Sequence, residues 1–225
     1  MDEIDDWERE KILIRLLYYA TSSVLSRRRE IPVAVIIVKR FLREYHAPQY
    51  PLFYVDVIAL FVAAKTYDHL VTINDCYQAV IYAANSLKNR LPSFDIKSVG
   101  ITNLAVQIPD PEISSMINKL EYAVLEIFEF CTPIPSPFTS IDKCVRPHLP
   151  PDSDHLISKM DGYCTKFITS RYSLDVGADY GAAIAVLVTL GQNELNPNIK
   201  EWIDKVLATQ DDSVKSEMLS FFTST

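Results

Sequence analysis

Residues 52–67 read LFYVDVIALFVAAKTY, a stretch that is apolar on nearly every side of a helix, with Asp56 and Lys65 as its charges. A helix on the surface of a globular protein shows one apolar stripe, so a segment apolar all round predicts a helix enclosed by others. Pro51 opens it, and Ser, Asn and Gly are absent inside it. The elements on either side should therefore be helices packed around this one.

Their patterns agree. Ile12, Leu13, Leu16, Leu17 and Ala20 fall at helical spacing within residues 7–25, and Val35, Ile36, Val38 and Phe41 do so in a second helix that has Pro32 in its first turn and ends near Tyr45. A fourth helix is predicted over Ile73 to Leu87, capped at Thr72 or Asn74. Pro92, Gly100, Pro109 and Pro111 then break the pattern, and residues 88–111 read as a long excursion off the bundle. The next helix carries Ile113, Met116, Ile117, Leu120, Val124, Ile127 and Phe128 at steps of three and four, and Pro133, Pro135 and Pro137 end it.

Beyond that proline cluster the plan starts again. A short helix is predicted over Pro137 to Lys143. Another follows Pro150-Pro151-Asp152, with Leu156, Met160, Tyr163, Cys164 and Phe167 on one face. Ala178 to Leu190, ADYGAAIAVLVTL, is the second stretch apolar nearly all round, and helices at 198–208 and 211–222 complete the chain. The expectation is an all-α protein of two tandem helical repeats of about five helices each, residues 1–134 and 135–225, suggesting a structural duplication.

Composition excludes several classes of function. With 48% hydrophobic and 23% charged residues over 225, the chain is an ordinary globular one. Five glycines leave little room for a hairpin-rich sheet. A net charge of −7 argues against general nucleic-acid binding, which needs cations to displace counterions from phosphates. The basic run Arg27-Arg28-Arg29 reads as a solvated loop. The longest uncharged run, Tyr180 to Asn193, is too short for a bilayer, and the acidic start Met1-Asp2-Glu3 is unlike a signal peptide, so an intracellular protein is expected. Cys76, Cys131, Cys144 and Cys164 form no CxxC pair, which suits reduced core thiols better than a zinc site, so no metal and no cofactor is expected. Cys144 and His148, four apart with Pro147 between them and no Gly-rich turn, make a poor nucleophile and base. No catalytic constellation is found.

Two charged residues stand out by position. Lys65 occupies the last turn of the third helix, where a cation complements the helix dipole; alone it reads as a lysine reaching from an apolar helix end to water. Glu121 lies at the edge of the buried stripe of the fifth helix, with Leu125 further round on the same side; alone it reads as a solvated boundary carboxylate. A carboxylate beside a leucine that the core need not bury is also how a polar-rimmed contact patch begins.

Three blocks carry a family resemblance: IPVAVIIVKRFL at 31–42, DVIALFVAAKTYD at 56–68 and LEYAVLEIFEF at 120–130. In this order they resemble successive parts of a cyclin box, with a KRF element on the second helix, an AxK element closing the third, and an LExxxLxxxxF element on the fifth. The resemblance covers residues 8–145 well and 150–222 weakly. It implies two tandem cyclin boxes, no catalysis, and a cyclin-dependent kinase as partner, bound just before its regulatory C-helix through Lys65 and Glu121 with apolar contacts from Val62, Leu125 and Phe130. Cell-cycle cyclins commonly carry an acidic residue where this chain has Lys39, an FEE or VEE where it has Thr66-Tyr67-Asp68, and an MRxxL element that residues 8–25 lack. These departures, with the 88–111 segment read as an insertion, resemble transcription-associated cyclins more than mitotic ones. The implied location is the nucleus, and a third subunit contacting the 88–111 segment is compatible with the same reading. The competing reading keeps the fold and drops the kinase: a cyclin-fold scaffold, or a binding protein like a general transcription factor.

Overall fold

The computed structural model describes residues 6–24, 30–44, 51–102, 111–129, 135–191 and 195–223. Arg27, Arg28, Arg29, Tyr45, residues 103–110, Phe130, Cys131 and Pro133 lie outside the described residues. Those described hold ten α-helices and no strand, so the protein is all-α. The chain divides into two compact units, Met1–Ile134 and Pro135–Thr225.

In the first unit α1 spans Asp6–Val24, α2 Glu30–Glu44, α3 Phe53–Thr66, α4 Ile73–Arg90 and α5 Pro111–Ile127. The middle helix α3 packs against α1, α2, α4 and α5, and that enclosure is why almost every side of it is apolar. Val55, Val57, Ile58, Ala59, Leu60, Ala63 and Ala64 are each at most 1% exposed. The surrounding helices turn one face to it: Leu13, Leu16 and Leu17 from α1, Val33, Ile37 and Phe41 from α2, Val80 and Leu87 from α4, Ile117, Leu120 and Val124 from α5.

Helix α4 begins on a reciprocal cap. The Asp75 N–H donates to Thr72 Oγ1 at 3.1 Å, and the Thr72 N–H donates to Asp75 Oδ2 at 2.8 Å. The Thr72 hydrogen bonds hold the Asp75 carboxyl below its usual range. Such a cap stabilises a helix start by about 1 kcal/mol.

The reading of residues 88–111 as an excursion off the bundle is corrected over its described part. Helix α4 runs on to Arg90, and residues 91–102 return to the core, burying Phe94, Ile96, Val99 and Ile101 around a short 3₁₀ turn at Lys97–Val99. Four apolar side chains at irregular spacing carry no helical or strand period, so periodicity gives no hint of their burial. Gly100 makes the return possible: its φ is +89°, and a Cβ there would stand 2.6 Å from Pro51 Cβ.

In the second unit α6 spans Pro137–Cys144, α7 Asp154–Ile168, α8 Ala178–Leu190, α9 Pro197–Leu207 and α10 Asp212–Thr223. Here α8 is the enclosed helix, packed against α6, α7, α9 and α10. It meets Phe138 and Ile141 of α6, Met160, Cys164 and Phe167 of α7, Ile199 and Ile203 of α9, and Met218 and Phe222 of α10 in one core. Gly181 is the point of closest approach, since a Cβ on it would fall 2.3 Å from the Phe167 ring. The last helix is tied down by Lys166, whose ammonium donates to the Phe221 carbonyl at 2.8 Å, and by the Tyr172 hydroxyl, which donates to Glu217 at 2.6 Å.

Candidate partner-binding surface

The end of α3 is built to hold Lys65 in place. The chain leaves the helix through a left-handed residue, Asp68 with φ +56°. The His69 N–H reaches back to the Ala64 carbonyl at 2.9 Å, and the Asp68 N–H to the Lys65 carbonyl at 3.1 Å, which closes the last turn. His69 Nδ1 then lies 2.9 Å from Oε1 of Glu30, a fully buried carboxylate at the start of α2. This loop is therefore anchored to a second helix one residue after it turns.

From that fixed turn the Lys65 ammonium donates to Glu121 Oε1 on α5 at 2.8 Å, and it lies 4.3 Å from the centroid of the Phe61 ring. The structure thus brings together two residues that lie 56 positions apart in the chain. Lys65 is 56% exposed and Glu121 19%, so the pair sits at the surface with its carboxylate half sunk. A pair so open to solvent contributes about 0–1 kcal/mol to the fold, and a partner can take over either group at little cost to stability.

The apolar residues expected beside them differ in burial where they are described. Leu125, one turn beyond Glu121, is half-buried and packs against the first core. Val62 is only 4% exposed; it supports the turn that carries Lys65, its carbonyl accepting from Thr66 Oγ1 at 2.9 Å. Phe130 lies outside the described residues. Tyr122, next to Glu121 in the chain, is 61% exposed, and Leu70, just past the α3 exit, is 99% exposed.

Three features were not singled out as functional in the sequence. Arg40, in the KRF element, holds its guanidinium 4.9 Å above the Phe128 ring of α5. Lys39 is 2% exposed, with its ammonium 3.6 Å from Glu10 Oε1 on α1. Burial raises the Glu10 carboxyl above its ordinary range, and the attraction of Lys39 offsets part of that rise. The charge that departs from the family pattern is therefore an internal link between α1 and α2. Asp56 is 0% exposed, and neither carboxylate oxygen has a hydrogen-bond partner among the described residues. Burial alone drives its carboxyl well above the usual range. Burying an unpaired carboxylate costs far more than burying the neutral acid, so the site favours the protonated form of Asp56. A lone acid in an otherwise apolar helix was the visible signal for it.

In the second unit the Cys144 thiol is pushed up by burial and by the Asp179 carboxylate, the opposite of what a nucleophilic thiolate needs. Asp179 accepts a short hydrogen bond from Ser140, and His148 Nδ1 faces the Asn198 side-chain amide at 3.4 Å. Among the described residues no group of three His, Cys, Asp or Glu side chains could hold a metal ion. Nor is any helix among them long and apolar enough to cross a membrane.

No family model matches the chain, and no curated protein matches it.

Proposed function

We propose that this protein is a cyclin-type regulatory subunit, built of two cyclin boxes, that binds and activates a cyclin-dependent kinase and performs no catalysis itself. The observation that carries the reading is the Lys65–Glu121 pair: a lysine fixed at the end of an enclosed helix and a carboxylate from α5, side by side at the surface with Leu125 beside them. Together they offer ammonium donors and a carboxylate acceptor to the main chain of one partner loop. Activation on this reading is a population shift, in which the chain binds the kinase better with its C-helix in the active placement, where the kinase's own Lys-Glu pair is complete. A transcription-associated kinase and a nuclear location follow from the departures at Lys39 and Thr66-Tyr67-Asp68.

The test is a binding titration against the co-purified cyclin-dependent kinase beside a thermal melt. Lys65→Ala and Glu121→Ala should each weaken binding by roughly 30-fold or more, because truncating one partner of a charged interfacial hydrogen bond costs about 2–5 kcal/mol. Melting should move by less than about 1 kcal/mol in stability, as for other exposed sites, and Lys88→Ala should change neither. Unchanged affinity in the double variant would replace this reading with the scaffold one.

A further inference from the structure

We infer that Arg40 is a second anchor of the same surface, one that takes a carboxylate from the kinase segment lying along α5. The inference rests on the proposed kinase-binding role of Lys65 and Glu121 and adds a residue to it. Glu121, Leu125 and Phe128 stand at i, i+4 and i+7 of the α5 register and so share one side of the helix. Lys65 meets that side at Glu121, and Arg40 meets it at Phe128. Seven residues at about 1.5 Å each separate the two points by roughly 10 Å along the helix. About three residues of extended partner chain cover the same distance.

The two cations differ in what they have left to offer. Lys65 is already bonded to Glu121. Arg40 is exposed, and among the described residues its guanidinium lies within ion-pair distance of no carboxylate, although Glu44, four residues on along α2, is exposed and within reach on a helix surface. It rests instead on Phe128, which is 8% exposed and part of the core. A guanidinium held over a ring still has N–H donors to offer, and its planar fork matches the two oxygens of a carboxylate. The ring contact limits the side chain's freedom before the partner arrives, so less rotamer entropy is lost on binding.

The experiment measures affinity for the co-purified cyclin-dependent kinase as a function of salt, with a melt for each variant. Arg40→Ala should weaken binding about tenfold and flatten its salt dependence. Arg40→Lys, which keeps the charge and loses the fork, should fall between wild type and Arg40→Ala. Arg40→Glu should be weakest of all, since it sets like charges together. Arg40→Gln, which keeps a planar group on the ring without charge, should bind like Arg40→Ala while melting like wild type. If Arg40→Ala and Arg40→Gln bind like wild type with the same salt slope while Lys65→Ala loses affinity, the second anchor is wrong and the kinase reading stands. If Lys65→Ala, Glu121→Ala and Arg40→Ala all bind like wild type, both are overturned. Arg40→Ala that lowers only the melting temperature, leaving affinity and salt slope unchanged, makes Arg40 a packing residue and also overturns the inference.

Discussion

The two enclosed helices, α3 and α8, share a composition and a place in their units, yet they end differently. Helix α3 exits through Asp68, carries Lys65 in its last turn and hands that lysine to Glu121. Helix α8 exits through Gly191, with φ +73° and ψ 159°, after Thr189 and Leu190, and has no basic residue in its last turn. Inside, each holds a buried polar group with no hydrogen-bond partner among the described residues, but of different cost. In α8, which Gly181 lets press against Phe167, it is the neutral Tyr180 hydroxyl, and in α3 it is the Asp56 carboxyl. An apolar circumference makes a helix central, and the few residues that depart from it decide what else the helix does.

The largest effects should fall where the two helices are alike. Ile58→Ala in α3 and Ile184→Ala in α8 each remove a fully buried side chain and should cost about 2–5 kcal/mol in denaturant unfolding. A loss below about 1 kcal/mol at either site would mean that helix is not enclosed.

Asp56 separates the helices by pH. Its folded carboxyl titrates well above the ordinary value of 3.8, so the unfolded chain releases this proton first. The stability attached to it is complete below the unfolded value and is lost as pH rises toward the folded one, at up to about 1.4 kcal/mol per pH unit. Asp56→Asn should remove that slope, and the gap between wild type and variant should widen from pH 4 upward. Parallel stability curves would place the charge elsewhere.

Next come the glycines. Gly181→Ala drives a methyl into the Phe167 ring and should cost about 1–3 kcal/mol, lowering the melting temperature by several degrees. Gly191→Ala should cost a similar roughly 1–3 kcal/mol for backbone strain, although among the described residues nothing stands within 4 Å of where the added Cβ would lie. The α3 exit should respond in the opposite direction. Asp68→Gly relieves a left-handed L-residue, with a net gain of up to about 1 kcal/mol after the added freedom of the unfolded chain. Smallest of all, Lys65→Ala should change stability by about 0–1 kcal/mol and lose that small effect in high salt.

The sequence by itself determined the all-α class and placed α3, α8 and their neighbours to within a few residues, because burial on one face or on all faces imprints a period on the chain. It marked Lys65 and Glu121 through position and motif, and it showed Asp56 as a lone acid in an apolar run. Only the tertiary structure decided that Lys65 and Glu121 touch, that Lys39 turns inward to Glu10 while its neighbour Arg40 turns outward onto Phe128, and that residues 91–102 fold back into the core. The reason is physical. Periodicity reports which way a side chain faces on its own helix, whereas a contact between helices depends on their register and crossing, which no local pattern encodes.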